Sequence, residues 1–148
     1  MRKTPIFAVY IIILTIPVII VSCVNILAGK ITVSISKGTQ NNYYQVEIYS
    51  NKNLQIENTN SFEFNINDNQ NIILESGNGR LENGFSSWTS VRQYSKGAYI
   101  VVVKIDENGN DLFLPTDGDK YSYKYVVVGE DSDSSVSFSS FDPWYLLQ

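Results

Sequence analysis

Histidine is absent from this chain, and cysteine occurs only once, as Cys23. The chain therefore lacks the side chain that most often serves as a general base near neutral pH. A single cysteine cannot form an internal disulfide, and histidine and cysteine are the usual zinc ligands. No glycine-rich phosphate loop or zinc motif occurs either. We therefore expect a protein that is not an enzyme and that uses no cofactor.

Positively charged residues are also fewer than negatively charged ones. The formal net charge is −4, and removing Arg2 and Lys3 at the N-terminus leaves −6 for the remainder. Nucleic acids and anionic lipids need a basic patch, so the charge argues against nucleic acid as a partner.

Charge is missing altogether between Ile6 and Ala28. This run is long enough to cross the hydrocarbon core of a membrane as a helix, and Pro17 is tolerated there as a kink. Because Arg2 and Lys3 precede it, we expect the N-terminus inside and the rest outside. Residues 1–29 then form an anchor or signal segment, and residues 30–148 form one extracytoplasmic domain.

Three interpretations of the N-terminal segment remain open. It is an uncleaved transmembrane signal anchor, a lipoprotein signal, or a signal peptide cleaved after Ala28. The lipoprotein alternative rests on Ile20-Val21-Ser22-Cys23, which resembles a lipobox and makes Cys23 the lipidation candidate. Cys23 is equally compatible with an ordinary apolar position in a membrane helix. The lack of disulfides favours a bacterial or archaeal source.

The remainder is rich in Tyr, Val, Ile, Phe and Thr, which favour strands, while Ala is scarce. Apolar and polar residues alternate in short runs separated by turn residues, which predicts an all-β fold, an antiparallel β-sandwich of eight to ten strands. The sandwich is immunoglobulin-like or jelly-roll-like, and a partly open barrel is the alternative. The predicted strands are centred on Ile31–Ser36, Tyr44–Ile48, Leu54–Ile56, Phe62–Ile66, Asn71–Glu75, Tyr99–Ile105, Asp111–Leu114, Tyr121–Val127 and Val136–Phe141.

Two predictions concern loops. The stretch Ser76–Ser87 holds three glycines and no periodicity, so we expect the longest loop there. Asn108-Gly109 is a strong hairpin signal, so Asp111–Leu114 is expected to pair with the central strand Tyr99–Ile105.

Aromatic residues near the predicted loops and tail are candidate ligand contacts, since exposed aromatic rings stack on sugars or anchor protein partners. The alternative is that they pack on the rim of the core. The row Tyr121, Tyr123 and Tyr125 is expected to be a half-buried strand face. The ligand-binding candidates are Phe85, Trp88, Tyr94 and Trp144.

Calcium is the one metal that the sequence leaves open. Asp106, Asn108 and Asn110 alternate as oxygen ligands do in calcium loops, and Asp117 stands at position twelve. Position six is Asp111, where an EF-hand needs glycine, and no flanking helices are expected. Two solvated surface turns are therefore the favoured interpretation.

The stretch Ser95-Lys96-Gly97-Ala98-Tyr99-Ile100-Val101-Val102-Val103 resembles a strand common in extracellular sandwich modules. Such modules include immunoglobulin-like domains and the bacterial prepeptidase C-terminal type, in which strands like Tyr43–Val46 and Tyr121–Val128 also fit. The resemblance implies an accessory binding or structural module.

These observations together predict a membrane-anchored, extracytoplasmic module that acts in cell-envelope structure or protein interaction. An exposed edge strand or the Ser76–Ser87 stretch is the expected contact. A carbohydrate-binding or adhesive surface module is the alternative, and a small lipoprotein anchored through Cys23 is another. The expected partners are the membrane, through the N-terminal segment, and a protein or glycan of the envelope.

Overall fold

A computed structural model describes residues 28–37 and 42–147, and this part of the chain is all-β. Two short 3-10 helices, Ile56–Asn58 and Pro115–Asp117, are the only helical elements among these residues. The strands are β1 (Ala28–Gly29), β2 (Ile31–Ser36), β3 (Tyr43–Asn51), β4 (Asn71–Arg80), β5 (Phe85–Thr89), β6 (Tyr94–Ser95), β7 (Gly97–Ile105), β8 (Lys120–Val128), β9 (Ser134–Ser139) and β10 (Tyr145–Leu146).

The strands form three sheets. The largest has the order β10-β8-β7-β3-β4, a second has the order β5-β2-β9, and β1 pairs with β6. One pairing departs from the antiparallel prediction, because β2 and β9 run parallel, with Val33 opposite Val136. Residues that are far apart in sequence thus form neighbouring strands, which local alternation cannot reveal.

One hydrophobic core lies between the five-stranded and three-stranded sheets. Alternate residues of each strand point into it, as the period of two requires. The prediction of a central strand at Tyr99–Ile105 is confirmed, because β7 lies between β3 and β8 and is buried on both faces. The core includes Ile31, Val33, Ile35, Val46, Ile48, Val101, Val103, Ile105, Val126, Val136 and Phe138.

Residues 52–70 cover the other face of the five-stranded sheet, and strands predicted there are wrong. Leu54 and Phe64 are buried against Tyr49 and β7, but the segment forms turns and one 3-10 helix. Asparagine side chains accept backbone N–H groups within the segment, for example Asn65 Oδ1 from Asn67 at 3.0 Å. Such local bonds compete with strand pairing. The apolar alternation therefore marks a covering segment with one buried side.

The prediction of a long loop over Ser76–Ser87 is also wrong. Strand β4 continues to Arg80 and β5 begins at Phe85, so only a tight turn remains. Asn83 and Gly84 have φ values of 54° and 78°, the left-handed pair that a two-residue hairpin turn requires. Glu82 and Phe85 exchange both backbone hydrogen bonds across this turn, at 2.9 and 3.0 Å.

The hairpin predicted around Asn108-Gly109 is replaced by a long loop. Residues 106–119 connect β7 to β8, and Asp111–Leu114 is not a strand. Asp106 and Asp119 are both fully buried at the base of this loop. Asp106 accepts the N–H groups of Gly109 and Asp111, both at 2.7 Å. Asp119 accepts those of Glu107 and Leu114, both at 2.9 Å.

We name the two ends of the molecule along the direction of its strands. The proximal end carries Ala28, where the described chain begins, together with the turn 129–133. The distal end carries the Asn83-Gly84 turn and the 106–119 loop. Ala28 was predicted to close the hydrophobic segment but lies in β1, opposite Ser95. The rest of that segment, with Cys23, lies outside the described residues. Within 28–37 and 42–147, no helix has the length and apolar character to cross a membrane.

Candidate functional site: the open edge of strand β8

Strand β8 is paired along its full length on one side only. Its partner β7 runs along the whole strand, whereas β10 pairs only with Lys120 and Tyr121. Leu147 N–H donates to Asp119 O at 3.0 Å, so the backbone groups of Asp119 point to the side of β8 away from β7. Because these groups alternate along a strand, those of Tyr123 and Tyr125 also point to the unpaired side.

Pro143 explains why pairing stops after β10. Tyr145 lies opposite Tyr121, so Pro143 holds the next position that would face Tyr123. Proline has no N–H to donate, and it is not in a strand here. The edge of β8 is consequently left open from Tyr123 towards its proximal end.

A groove of about 440 Å³ follows this open edge. The tip of the covering segment, Thr59 and Asn60, lines the groove, and Pro143, in line with β10, lies at its distal end. The remaining lining residues all belong to β8, and they are Tyr123, Lys124, Tyr125 and Val127. We refer to this feature as the β8 groove.

Packed aromatic rings support one side of the β8 groove. Phe64 lies 4.9 Å from Tyr123 between ring centroids, and Phe62 lies 6.0 Å from Tyr125 with the rings edge to face. The Tyr125 hydroxyl donates to Phe62 O, which ties β8 to the covering segment. Burial raises the pKa of Tyr125 to about 12, so its hydroxyl stays protonated at neutral pH. The expected half-buried tyrosine face is thus observed.

Lys124 and Asp142 supply the charge at the other side. Lys124 Nζ lies 2.7 Å from Asp142 Oδ1 and donates to Ser137 O at 2.6 Å. Burial by itself would raise the pKa of Asp142, but bonds from Lys124 and the Ser139 N–H outweigh it and hold the pKa below its usual value. The two charges cancel, so the groove carries an anchored ion pair.

The edge of β4 differs from that of β8 because side chains bridge its proximal half. Arg92 Nη1 donates to Leu74 O at 3.3 Å, and the Glu75 carboxylate accepts the N–H groups of Val91 and Arg92. A bulge in β4 opposite Ile48 and Tyr49 accompanies this arrangement. Bulges and side-chain cover are two ways in which proteins protect sheet edges.

The four aromatic candidates do not form one surface. Tyr94 is 2% exposed, lies at the proximal end and donates to Glu75 Oε2 at 2.8 Å. Trp88 packs over Gly77, where an added Cβ would lie 2.1 Å from the indole nitrogen. Trp144 packs against the core and donates its indole N–H to Ser139 O at 2.9 Å. Phe85, at the distal end, is 54% exposed.

The calcium candidates engage in hydrogen bonds within the 106–119 loop. Asp106 accepts two backbone N–H groups, and the Asn108 and Asn110 side chains each accept one. Asp117 Oδ2 accepts Asn110 Nδ2 at 2.7 Å, and these side-chain bonds lower the pKa of Asp117. No group of three His, Cys, Asp or Glu side chains in the described ranges is placed to hold a metal ion.

The open β8 edge was missed because it depends on which strands lie beside β8. A strand's own residues do not record its neighbours. Pro143, two residues before β10, was the one local signal, since proline cannot extend a ladder. Comparison with family models, with curated proteins and with solved structures gives no match for this chain.

Proposed function

We propose that this protein is a membrane-anchored, extracytoplasmic interaction module, in which the two larger sheets form an immunoglobulin-like or jelly-roll-like sandwich. The anchor is the hydrophobic segment that precedes Ala28, either as a membrane helix or through a lipid on Cys23. Support comes from the basic N-terminus before an uncharged run and from the acidic remainder. Lipid labelling of wild type and Cys23→Ser separates the two anchors, because only lipidation is lost with the thiol.

The observation that carries the interaction role is the β8 groove. It combines unpaired backbone groups of Tyr123 and Tyr125 with aromatic support and a fixed ion pair. An open strand edge is a ready template for another chain, and proteins normally protect such edges unless they use them. The bridged edge of β4 shows that protection is present elsewhere in this molecule.

Site-specific crosslinking in the native cells tests this role. A photoreactive residue at Asn60, in the groove wall, is compared with one at Asn78, an exposed position on β4. Both replace an exposed asparagine, so expression and folding are matched. We expect a discrete protein adduct from position 60 and none from position 78.

Equal adducts from both positions, or none from either, would overturn the role of the groove. Protease accessibility of the domain in cells with an intact inner membrane provides the second check. Protection of the domain from external protease after the outer layers are opened would overturn the extracytoplasmic placement.

The carbohydrate-binding alternative has less support from this geometry. Three of its four aromatic candidates pack or donate hydrogen bonds inside the protein, and only Phe85 is largely exposed. A glycan array with wild type and Phe85→Ala tests it directly.

A further inference from the structure

We propose that the β8 groove binds an extended peptide segment of another protein, added as a strand beside β8. The segment has alternating apolar side chains and a basic end. This inference rests on the proposed interaction role and specifies its partner. The argument uses the free backbone groups, the groove walls, the two faces of β8 and the charge at its proximal end.

The backbone groups define the length of the added strand. Tyr123 and Tyr125 present both N–H and C=O at the open edge, and Val127 presents its N–H. The Val127 carbonyl is already occupied, because Ser134 Oγ donates to it at 2.8 Å. An incoming strand therefore continues the line of β10 past Pro143 and ends at the turn 129–133.

The residues that line the groove favour a single added strand over the sheet edge of another folded molecule. Asn60 lines the groove from the covering segment, and Pro143 lies at its distal end, in line with β10. One added strand lies about 4.8 Å from β8 and occupies the edge between Pro143 and the turn 129–133. A second β8 would bring its own Asn60 and Pro143 to the same edge, where the two sets of residues would crowd each other.

A second copy is disfavoured for another reason. Antiparallel pairing of β8 with itself would place the proximal end of one copy beside the distal end of the other. The proposed anchors precede Ala28 at the proximal end, so both could not enter one membrane. Parallel pairing would place the tyrosine face of one copy beside the Lys124 face of the other.

The two sides of the groove define the alternation of the partner. Side chains on one side of the added strand lie beside Tyr123, Tyr125 and Val127, which suits β-branched or aromatic residues. Those on the other side lie beside the Lys124–Asp142 ion pair, which suits small polar residues. The partner thus alternates apolar and polar residues.

Charge at the proximal end of the groove selects a basic flank. The turn after β8 carries Glu130, Asp131 and Asp133. Lys96 Nζ lies 2.9 Å from Glu130 Oε1, and Asp133 Oδ1 accepts the Lys30 backbone N–H at 2.7 Å. Ser134 Oγ joins the end of this turn to the β8 edge. A lysine or arginine just beyond the strand is attracted there, and the attraction weakens as salt is added.

The test uses the full chain in detergent and labelled peptides of nine residues, the length of β8. The peptides alternate Val or Tyr with Thr and end in two lysines. Val127→Pro removes one outward N–H, which does not belong to the β7 ladder, at a side chain that is 43% exposed. Val127→Thr keeps that N–H and is the matched control. Asn60→Trp fills the groove without touching the β8 backbone.

Fluorescence anisotropy should show binding to wild type and Val127→Thr, and at least tenfold weaker binding to Val127→Pro and Asn60→Trp. Two further peptides carry N-methyl groups on their odd or on their even residues. Only the peptide whose free N–H groups face β8 should bind. Absence of peptide binding to wild type, or equal binding to all four proteins, overturns the proposal.

Sedimentation of the same proteins separates failure of this inference from failure of the proposed role. If wild type is a dimer and Val127→Pro is a monomer, the partner in the β8 groove is a second copy of this chain. That result would overturn the peptide as partner but keep the β8 groove as the contact. An adduct at position 60 together with no peptide binding would keep the interaction role but overturn an extended-strand partner.

Discussion

Two stretches rich in asparagine and glycine fold in opposite ways in this protein. Residues 76–87 look like a loop in sequence but contain the end of β4, a tight turn at Asn83-Gly84 and the start of β5, which belongs to another sheet. Residues 106–119 contain an equally strong turn pair, Asn108-Gly109, but form an irregular loop. The same dipeptide therefore gives a tight two-residue turn in one place and none in the other.

The backbone angles show the difference. Asn83 and Gly84 both have positive φ, whereas in the second stretch the positive φ values belong to Gly109, Asp111 and Gly118, no two of which are adjacent. A two-residue hairpin turn needs positive φ at both central residues. The Asp106 carboxylate accepts the Gly109 N–H and the Asp111 N–H, so it organises the chain around itself. A buried acceptor thus overrides a local turn signal.

The largest expected effect comes from removing that acceptor. In Asp106→Ala, the N–H groups of Gly109 and Asp111 lose the fully buried carboxylate that accepts them. Hydrogen bonds to a charged acceptor contribute about 1.5–3 kcal/mol each, so we expect the free energy of unfolding to fall by about 3 kcal/mol. Urea denaturation followed by circular dichroism measures this change.

Asp117→Ala is the control for Asp106→Ala, because Asp117 belongs to the same loop but is only partly buried and accepts hydrogen bonds from side chains. Its urea midpoint should match that of wild type. Equal midpoints for all three proteins would show that the loop is held by something other than the buried carboxylate.

The next effect tests the stretch that contains the tight turn. Gly77 leaves room for Trp88, and a Cβ there would lie 2.1 Å from the indole nitrogen. Gly77→Ala therefore forces the ring to move, and overpacking of this kind costs about 2 kcal/mol. Tryptophan fluorescence should change together with the denaturation midpoint. Asn78→Ala, on the opposite exposed face of β4, should change neither.

Much of the fold could be predicted because it depends on local sequence patterns. The alternation in Ile31–Ser36 and the doubly apolar run Tyr99–Ile105 both depend on which side of a strand is buried. The same pattern gave a wrong prediction for Ser76–Ser87, because Gly77 and Gly79 face the core without being hydrophobic. Their small size makes room for Trp88 and Tyr44 from elsewhere in the chain. A pattern based on hydrophobicity cannot detect a residue that is selected for its size.

The candidate site was less predictable than the fold, since it depends on contacts between distant residues. Trp88 and Tyr94 suggested ligand contacts as isolated aromatics, but their environments come from Gly77 on β4 and from Glu75. The β8 groove exists because Pro143 ends the pairing of β10 with β8. Which strand lies beside which is set by the whole arrangement of the sheets, including the parallel pairing of β2 with β9.

The smallest expected effect compares the two asparagines directly. Asn83 has a φ of 54°, and alanine in the left-handed region costs about 1 kcal/mol, whereas glycine is tolerated there. Asn108 is not among the residues with positive φ, and its Oδ1 accepts only the Asn110 N–H at an exposed site. We therefore expect Asn83→Ala to lower the free energy of unfolding by about 1 kcal/mol and Asn108→Ala by about 0.5 kcal/mol or less.

Glycine substitutions should reverse the order of the two sites. Asn83→Gly keeps the turn conformation, so its stability should stay within a few tenths of a kcal/mol of wild type. Asn108→Gly loses the bond to the Asn110 N–H and adds backbone freedom to the unfolded chain, so it should be the less stable of the two. Equal stabilities of Asn83→Gly and Asn108→Gly in urea denaturation would mean that both asparagines occupy the same kind of turn, and the contrast between the tight turn and the loop would then lie in Asp106 alone.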